Sequence, residues 1–293
     1  MRPPAPAQVI RDLLDTGHTV NMPGVYDALT ARLAEEAGFP VLFVSGYSVS
    51  ASRLALPDFG YLTQTEMTEA GRAVCGATSR PVIVDADTGY GNPLSAIRTA
   101  RLFHAAGAAG IFLEDQEWPK KCGHFEGKRV VPRDEWLSKL RAVRDLREEG
   151  VDLFLVARTD ARAAASLDEA LARAEAARDI GTDAVFIEAP TSLEELERIG
   201  RHLEGCVRVA NMIEGGRTPL LTPEELSELG FDLIVTPLSA LMAATHAVRE
   251  TFARLYELGT LRDHRDELES FAGFERVVDT PGHRELEGRY ADD

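Results

Sequence analysis

The sequence predicts a single α/β domain built as a (β/α)8 barrel, also called a TIM barrel. Short apolar runs alternate with longer amphipathic segments, an order typical of parallel strands joined by crossover helices. Eight such repeats fit into about 260 residues, which favours a closed barrel over an open doubly wound sheet. Pairs such as Gly107-Ala108 stand between a helix and the next strand, where a helix end is expected.

The predicted strands are apolar and rich in β-branched residues, with Ala-, Leu-, Glu- and Arg-rich segments of helical spacing between them. They cover residues 19–22, 41–46, 82–87, 110–114, 153–158, 184–188, 207–211 and 233–236. Residues 260–293 are charged, have helical spacing and exceed what eight repeats require. We therefore predict one barrel domain over residues 1–293, with 260–293 as a C-terminal helical extension.

Charge and cysteine content limit the classes of partner. A net charge of −16 argues against general affinity for nucleic acid or for an anionic membrane. The three cysteines lack Cys-x-x-Cys spacing, and the first residues lack the apolar run of a signal peptide, so we expect a cytoplasmic protein. An anionic small-molecule substrate would then need local positive charge, from a metal ion or from Arg and Lys.

Polar residues gather where the predicted strands end, which is where barrels of this class carry their active sites. Charges so close to a barrel core are costly unless they are paired or bind a ligand, so we interpret them as a functional rim rather than as scattered loop residues. The strand ends carry Ser45 and Gly46, Asp85 and Asp87, Glu114 and Asp115, Arg158 and Asp160, Glu188, Asn211, and Thr236.

Three of these carboxylates suggest a metal site. Asp85 and Asp87 are two residues apart on a strand and so point to one face, and Glu114 ends the next strand. An all-oxygen site without histidine suits Mg²⁺ or Mn²⁺ better than Zn²⁺. The alternative is that one aspartate only caps the following helix.

The segment after the fourth strand is long, bears glycine and is rich in reactive side chains, which is typical of an active-site loop. Cys122 lies there between Lys120, Lys121 and His124, a setting that favours proton transfer or nucleophilic attack by the sulfur. The alternative is an incidental loop thiol. Cys75 and Cys206 fit small core residues better.

Taken together, these motifs resemble the isocitrate lyase/phosphoenolpyruvate mutase superfamily, from about residue 23 to about residue 259. Lys120-Lys121-Cys122-Gly123-His124 is the most specific of them and looks like the signature of the lyase branch. The others are Ser45-Gly46-Tyr47, Leu56-Pro57-Asp58, Asp85-Ala-Asp87-x-Gly-Tyr-Gly91, Glu114-Asp115-Gln116, Ala157-Arg158-Thr159-Asp160, Glu188-Ala189 and Asn211-Met212-x-Glu214-Gly-Gly.

The resemblance implies a role for each of these groups. Asp85 would bind Mg²⁺, or Mn²⁺ as a substitute, with Asp87 and Glu114 holding the ion through water and Asp58 nearby. Cys122 would protonate the carbon of the departing enolate. The catalytic set would be Cys122, Arg158, Lys120 and Asp58, and the substrate-binding set Ser45, Gly46, Tyr47, Gly123, His124, Arg158, Glu188 and Asn211.

Two departures bear on the substrate. Lyases of the 2-methylisocitrate type carry an arginine soon after the Pro-Leu-Ser of strand eight, whereas here the run from Pro237 leads to Met242. The run from Asn211 to Pro219 looks more like 2,3-dimethylmalate lyases and carboxyphosphonoenolpyruvate phosphonomutases. Both departures favour a dicarboxylate or phosphonate-like substrate over a tricarboxylate.

The expected activity is a Mg²⁺-dependent carbon–carbon lyase that cleaves a substituted 2-hydroxy di- or tricarboxylate through a metal-stabilised enolate, giving a 2-oxo acid such as pyruvate. The alternatives are a phosphonomutase, an oxaloacetate decarboxylase and a barrel that only binds. The resemblance also implies a homotetramer whose extra C-terminal helices are swapped between subunits.

Overall fold

The computed structural model describes residues 5–123 and 127–291. Its sheet is a closed barrel in which each parallel strand pairs with the next and β8 pairs with β1. The strands are β1 Val20–Val25, β2 Leu42–Val44, β3 Val82–Asp85, β4 Gly110–Glu114, β5 Phe154–Thr159, β6 Ala184–Ile187, β7 Val207–Asn211 and β8 Leu233–Thr236. The predicted (β/α)8 barrel is confirmed.

Helices surround this barrel, and short 3-10 helices follow at Leu146–Glu149 and Arg265–Glu267. The α-helices in the described part of the chain are α1 Pro6–Leu14, α2 Ala28–Glu36, α3 Gly46–Leu54, α4 Gln64–Ala77, α5 Pro93–Ala105, α6 Arg133–Asp145, α7 Ala161–Ala164, α8 Leu167–Asp179, α9 Leu193–His202, α10 Pro223–Glu228, α11 Ser239–Leu258, α12 Phe271–Val277 and α13 Thr280–Tyr290. Several begin at a side-chain cap, such as Thr63, whose hydroxyl accepts from the Glu66 N–H while the Glu66 carboxylate accepts in return.

Strand β1 runs three residues beyond its predicted end and so contains Pro23 and Gly24. A Cβ atom on Gly24 would lie 2.1 Å from the carbonyl oxygen of Pro237. Only a residue without a side chain allows the backbones at the ends of β1 and β8 to approach this closely. The glycine therefore belongs to the closure of the barrel.

Alternate residues of the strands fill the barrel or face the helices. Ile83 packs inside, and Val84 packs against the helical layer. Aromatic rings fill the middle of the barrel, where the ring centroid of Phe112 lies 4.8 Å from Phe43 and 5.6 Å from Phe186. The interior is therefore a packed core that supports the polar residues at the strand ends.

Helix α1, which the sequence pattern did not predict, closes the opposite end of the barrel. Its buried Ala7 and Ile10 pack with the interior side chains. Arg11 binds both carboxylate oxygens of Asp152 at 2.8 Å and Asp183 at 2.9 Å, just before β5 and β6. The amino-terminal end of the barrel is thus covered, and the site lies at the other end.

The chain divides into two compact units, Met1–Ala240 and Leu241–Asp293. The second contains most of α11 and the 260–293 segment that was predicted as a helical extension. Large apolar side chains of this unit are exposed, among them Phe252, Tyr256, Phe271 and Tyr290. Across the described residues, no helix combines the length and apolar character needed to cross a bilayer.

Candidate active site

The end of β2 leads directly into the start of α3, and this junction faces the end of β3. Ser45 caps α3, and its hydroxyl accepts a hydrogen bond of 3.3 Å from the Ser48 N–H. A Cβ atom on Gly46 would lie 2.9 Å from Oδ2 of Asp85. Tyr47 follows, half-buried, and burial raises the pKa of its hydroxyl, with smaller contributions from Cys122 and Asp58. These backbone and hydroxyl groups suit a substrate carboxylate.

A buried lysine lies inside the acidic cluster. Lys120 Nζ is 2.7 Å from Asp58 Oδ1 and 2.6 Å from Asp87 Oδ1, and all three side chains are almost wholly inaccessible. Burial lowers the pKa of Lys120, but the carboxylates of Asp87 and Asp58 outweigh it and leave that pKa well above the ordinary value. The Lys120 ammonium is therefore positively charged and pairs with the carboxylates of both Asp58 and Asp87.

Asp87 is held at the end of β3 by its backbone and its neighbours. Its φ of 48° is in the left-handed region, its N–H donates to Asp85 Oδ1 at 3.1 Å, and Tyr90 donates to Oδ2 at 3.0 Å. Burial raises the pKa of Asp87 to about 6; Asp85 and Asp58 add to this rise, and Lys120 opposes it. Two carboxylates this close favour a cation between them.

Arg158, near the end of β5, links acidic groups on three strands or their loops. Its Nε is 3.0 Å from Asp160 Oδ2 and 3.2 Å from Glu114 Oε2, and Nη2 is 3.3 Å from Glu188 Oε2. Asn211 Nδ2 donates to both oxygens of Glu188, at 3.2 and 3.3 Å. These hydrogen bonds orient the guanidinium and the amide at the rim of the barrel.

The loop after β4 brings Cys122 and Gly123 onto this rim. The Cys122 N–H donates to the carbonyl oxygen of Asp58 at 3.1 Å. A Cβ atom on Gly123 would lie 2.4 Å from Cδ of Glu188 and 2.7 Å from Nη2 of Arg158. The loop therefore rests directly on Arg158 and Glu188. The predicted site residue His124 lies outside the described residues.

One cavity receives most of the predicted site residues. It is lined by Ser45, Tyr47, Asp58, Asp85, Cys122, Gly123, Arg158, Glu188 and Asn211. The rest of its lining is apolar and consists of Phe43, Phe112, Phe186, Ile213, Val235, Pro237 and Leu238. Gly46, Asp87, Glu114 and Lys120 lie behind this lining and contact it.

The predicted metal ligands share this end of the barrel without surrounding one point. Within residues 5–123 and 127–291, no set of three or more His, Cys, Asp or Glu side chains converges as a metal site. Among the residues that the structure describes, Oε1 of the buried Glu114 nevertheless finds no hydrogen-bond partner. Burial raises the pKa of Glu114 well above its ordinary value; Asp160 adds to this rise and Arg158 opposes it. A hard cation with bound water suits this all-oxygen set.

The sequence analysis missed one buried contact of the site. Lys128 Nζ lies 2.6 Å from Asp160 Oδ1 and also donates to the carbonyl oxygen of Gly123. Asp160 was part of a quoted motif, but Lys128 was not singled out, because a loop lysine carries no sequence signal of burial. Only the fold brings it against Asp160.

Comparison with known proteins agrees with this geometry. Residues 10–256 match the family model described as phosphoenolpyruvate phosphomutase. The chain is 49% identical to the chloroplastic carboxyvinyl-carboxyphosphonate phosphorylmutase of Arabidopsis thaliana, over 95% of this chain and 83% of that protein. It is 41% identical to the 2,3-dimethylmalate lyase of Eubacterium barkeri, over 97% and 98% of the two chains.

Solved structures give the same result. Oxaloacetate acetylhydrolase bound to 3,3-difluorooxalacetate superposes with a TM-score of 0.92 at 34% identity, covering 98% of both chains. A 2,3-dimethylmalate lyase gives 0.91 at 33% identity, covering 98% of this chain and 95% of that one. A phosphonopyruvate hydrolase in complex with oxalate and Mg²⁺ gives 0.87 at 30% identity, covering 98% and 99%. The chain therefore belongs to the phosphoenolpyruvate phosphomutase family and is an enzyme of the PEP mutase/isocitrate lyase superfamily of lyases and mutases.

Proposed function

We propose that the protein is a carbon–carbon lyase that splits a substituted 2-hydroxy dicarboxylate into a 2-oxo acid, such as pyruvate, and a second carboxylate. The observation that carries this proposal is the mixed lining of the cavity. The lining combines Ser45, Asp85, Arg158 and the thiol of Cys122 with apolar side chains. An alkyl-substituted malate offers both carboxylates and apolar groups to such a lining.

The cleavage balances with groups of this chain. The 2-hydroxyl loses its proton, its oxygen becomes the carbonyl of the 2-oxo acid, and the bond between C2 and C3 breaks. The electron pair passes to C3, which leaves as the enolate of the second carboxylate and takes up one proton. Asp58 lines the cavity and can receive the hydroxyl proton, and Cys122 can supply the proton to C3.

The same side chains can bind and orient the substrate. The Arg158 guanidinium offers donors to an anionic oxygen while Asp160 and Glu188 hold it in place. The N-terminus of α3 offers N–H groups to the carboxylate of the pyruvyl half. The loop that rests on Arg158 contributes Cys122 and Gly123 to the cavity lining and would keep water from the enolate.

We also propose Mg²⁺ as the cofactor, with Mn²⁺ as a substitute. Asp85 would be the direct ligand, and Asp87 and Glu114 would act through water, an arrangement that needs no convergence of three carboxylates. Such an ion would supply positive charge for the substrate oxygens on which negative charge develops. The observation that supports it is the buried Glu114 oxygen, which accepts no hydrogen bond from the described part of the chain.

The apolar residues of the cavity lining limit the substrate. Ile213, Pro237 and Leu238 offer no charge to a third carboxylate, so tricarboxylates should bind poorly. A methyl or larger alkyl group on C3 would instead bury apolar area there, at about 25 cal/mol per Å². The proposal therefore favours dimethylmalate-type substrates over 2-methylisocitrate.

A phosphonomutase is the second candidate, because a relative of 49% identity bears the name carboxyvinyl-carboxyphosphonate phosphorylmutase. Oxaloacetate decarboxylation is a third, and the similarity to oxaloacetate acetylhydrolase makes oxaloacetate a necessary substrate to test. These reactions differ in the bond broken, so product analysis separates them.

The test is a substrate panel with purified protein and Mg²⁺. The panel contains 2,3-dimethylmalate, 2-methylisocitrate, isocitrate, oxaloacetate and phosphonopyruvate, and release of pyruvate, glyoxylate, oxalate and phosphate is followed. We expect pyruvate from dimethylmalate at a higher kcat/KM than from 2-methylisocitrate. Turnover of phosphonopyruvate or oxaloacetate alone would overturn the lyase proposal.

Finally, we propose a homotetramer in which the C-terminal helices pack on another copy of the chain. The apolar side chains exposed on the second unit support this, because a single chain leaves them in water.

A further inference from the structure

We infer that Lys128 is a positioning residue. It connects the loop that carries Cys122 and Gly123 to Asp160, the carboxylate that also pairs with Arg158. This inference rests on the proposed function, because it assigns the loop its catalytic use. Lys128 belongs to none of the sequence motifs quoted above.

The Lys128 ammonium is buried and makes two contacts. The side chains of Lys128 and Asp160 are 1% and 0% exposed, and Nζ is 2.6 Å from Oδ1. The same ammonium donates to the carbonyl oxygen of Gly123, the residue after Cys122. Lys128 thus binds the loop at the backbone and the barrel at a carboxylate, and no solvent competes for either contact.

Asp160 is itself held firmly, which makes it a suitable anchor. Its N–H donates to Asp115 Oδ1 at 2.8 Å, and Asp115 Oδ2 accepts from Thr159 at 2.6 Å and from Arg173 at 3.0 Å. Burial by itself raises the pKa of Asp160, but Arg158 and Lys128 outweigh burial, so the pKa lies well below its ordinary value. The Asp160 carboxylate therefore pairs with both Arg158 and Lys128.

Sharing Asp160 couples two parts of the reaction. Arg158 Nε lies 3.0 Å from Asp160 Oδ2, and Gly123 lies so near the guanidinium that a Cβ atom on it would be 2.7 Å from Nη2. Lys128 holds Gly123 in place, and Cys122 is the preceding residue. The distance between the Cys122 sulfur and the Arg158 guanidinium is therefore fixed. Without Lys128, the loop loses its only described side-chain contact with Asp160.

The experiment compares Lys128→Met with Arg129→Gln. Arg129 is the next residue, and its side chain is 77% exposed and pairs with Glu117 away from the cavity. Alkylation of Cys122 by iodoacetamide is measured by peptide mass mapping, with and without Mg²⁺ and oxalate. If the loop stays closed, loss of the positive charge of Lys128 should slow the alkylation of the Cys122 thiolate. We expect Lys128→Met to accelerate it instead, by about tenfold or more, because the loop opens.

The kinetic readout separates positioning from simple support of the fold. On the substrate that the panel identifies, kcat should fall on the order of 10²-fold with a smaller change in KM, because the proton donor is displaced while the binding groups remain. Arg129→Gln should match the wild type in both measurements.

A second variant covers the case in which Lys128→Met does not fold. Lys128→Met/Asp160→Asn removes both charges, so no uncompensated carboxylate stays buried. It should fold and show the same fast alkylation. Wild-type alkylation of Cys122 in a folded variant of either kind would overturn the inference, even if the wild type proves not to be a lyase.

Discussion

At the scale of the residue, the lyase proposal depends most directly on the sulfur of Cys122. Cys122→Ser should lower kcat on the order of 10²–10⁴-fold and leave KM nearly unchanged, because a hydroxyl is a far weaker proton donor than a thiol. Cys206→Ser, outside the cavity, should keep wild-type kcat. A phosphonomutase or a decarboxylase has no comparable need for the thiol. Near-native turnover of dimethylmalate by Cys122→Ser would rule out Cys122 as the proton donor.

The three cysteines should also differ in reactivity. Burial raises the pKa of Cys75 to about 11 and raises that of Cys206 as well, so at pH 8 both are almost entirely thiols. We expect Cys122, which lines the cavity, to be alkylated first by iodoacetamide, as seen by peptide mass mapping at early times. Equal labelling of Cys75 and Cys122 at pH 8 would contradict this.

Asp85 should control metal binding. Asp85→Ala should abolish Mn²⁺ binding measured by calorimetry or electron paramagnetic resonance, while the circular dichroism spectrum stays that of the wild type. Asp27→Asn is the matched control, because asparagine replaces aspartate well at the cap of α2. Full turnover of the wild type in excess chelator would show that the reaction needs no divalent ion.

The identity of most site residues could be predicted from the sequence, but their contacts could not. Ser45, Asp85, Arg158 and Asn211 lie at or near the carboxyl ends of strands, and that position brings them to one rim. Lys120 was expected to place its positive charge near the Cys122 sulfur, yet its ammonium contacts Asp58 and Asp87. Contacts across the barrel depend on loop geometry, which no local spacing encodes.

At the scale of the element, helix α1 offers a test of how the closed end of the barrel is held. Arg11→Met removes the hydrogen bonds to Asp152 and Asp183, which are partly exposed, and should lower the free energy of unfolding by about 1–3 kcal/mol at pH 7. Arg72→Met on α4, an exposed arginine with no ion pair among the described residues, should change it by less than about 0.5 kcal/mol. Urea unfolding measures both.

The pH dependence of the Arg11→Met effect has a defined sign. The hydrogen bond from Arg11 holds the pKa of Asp152 below its ordinary value, although burial opposes this. A carboxyl group with a depressed pKa stabilises the fold above its unfolded pKa, near 4, and loses that contribution as the pH falls through the folded value. The gap between wild type and Arg11→Met should therefore narrow below about pH 4. A gap that stayed constant in acid would assign the effect to packing.

Strands and helices differed in how well the sequence predicted them. Strands β4, β7 and β8 have the predicted bounds, and in β4 and β8 an uninterrupted apolar run ends at a polar rim residue. Strand β1 contains Pro23 and Gly24, which read as a strand end although the barrel extends through them. Helix α1 is short and precedes the first repeat, so the alternation of strands and helices gave no reason to expect it.

At the scale of the whole molecule, the exposed apolar residues of the second unit argue for association with further copies of the chain. Phe252 is 65% exposed and Tyr256 is 94% exposed, and no residue of α11 is buried. A surface of this kind is costly in water and is usually covered by a partner. Because homo-oligomers are commonly symmetric, the same helix of a second copy is the simplest cover.

The measurement is light scattering coupled to size exclusion at micromolar concentration. We expect a mass near four times the 32.0 kDa of the chain. Replacing Phe252 and Tyr256 together by glutamate should shift the protein to smaller species, because each subunit would bury two charges without partners. Leu94→Glu, at an exposed position on α5, provides a matched apolar-to-acidic control and should keep the wild-type mass. A stable wild-type monomer would refute the tetramer, and the apolar surface of the second unit would then need a partner other than this chain.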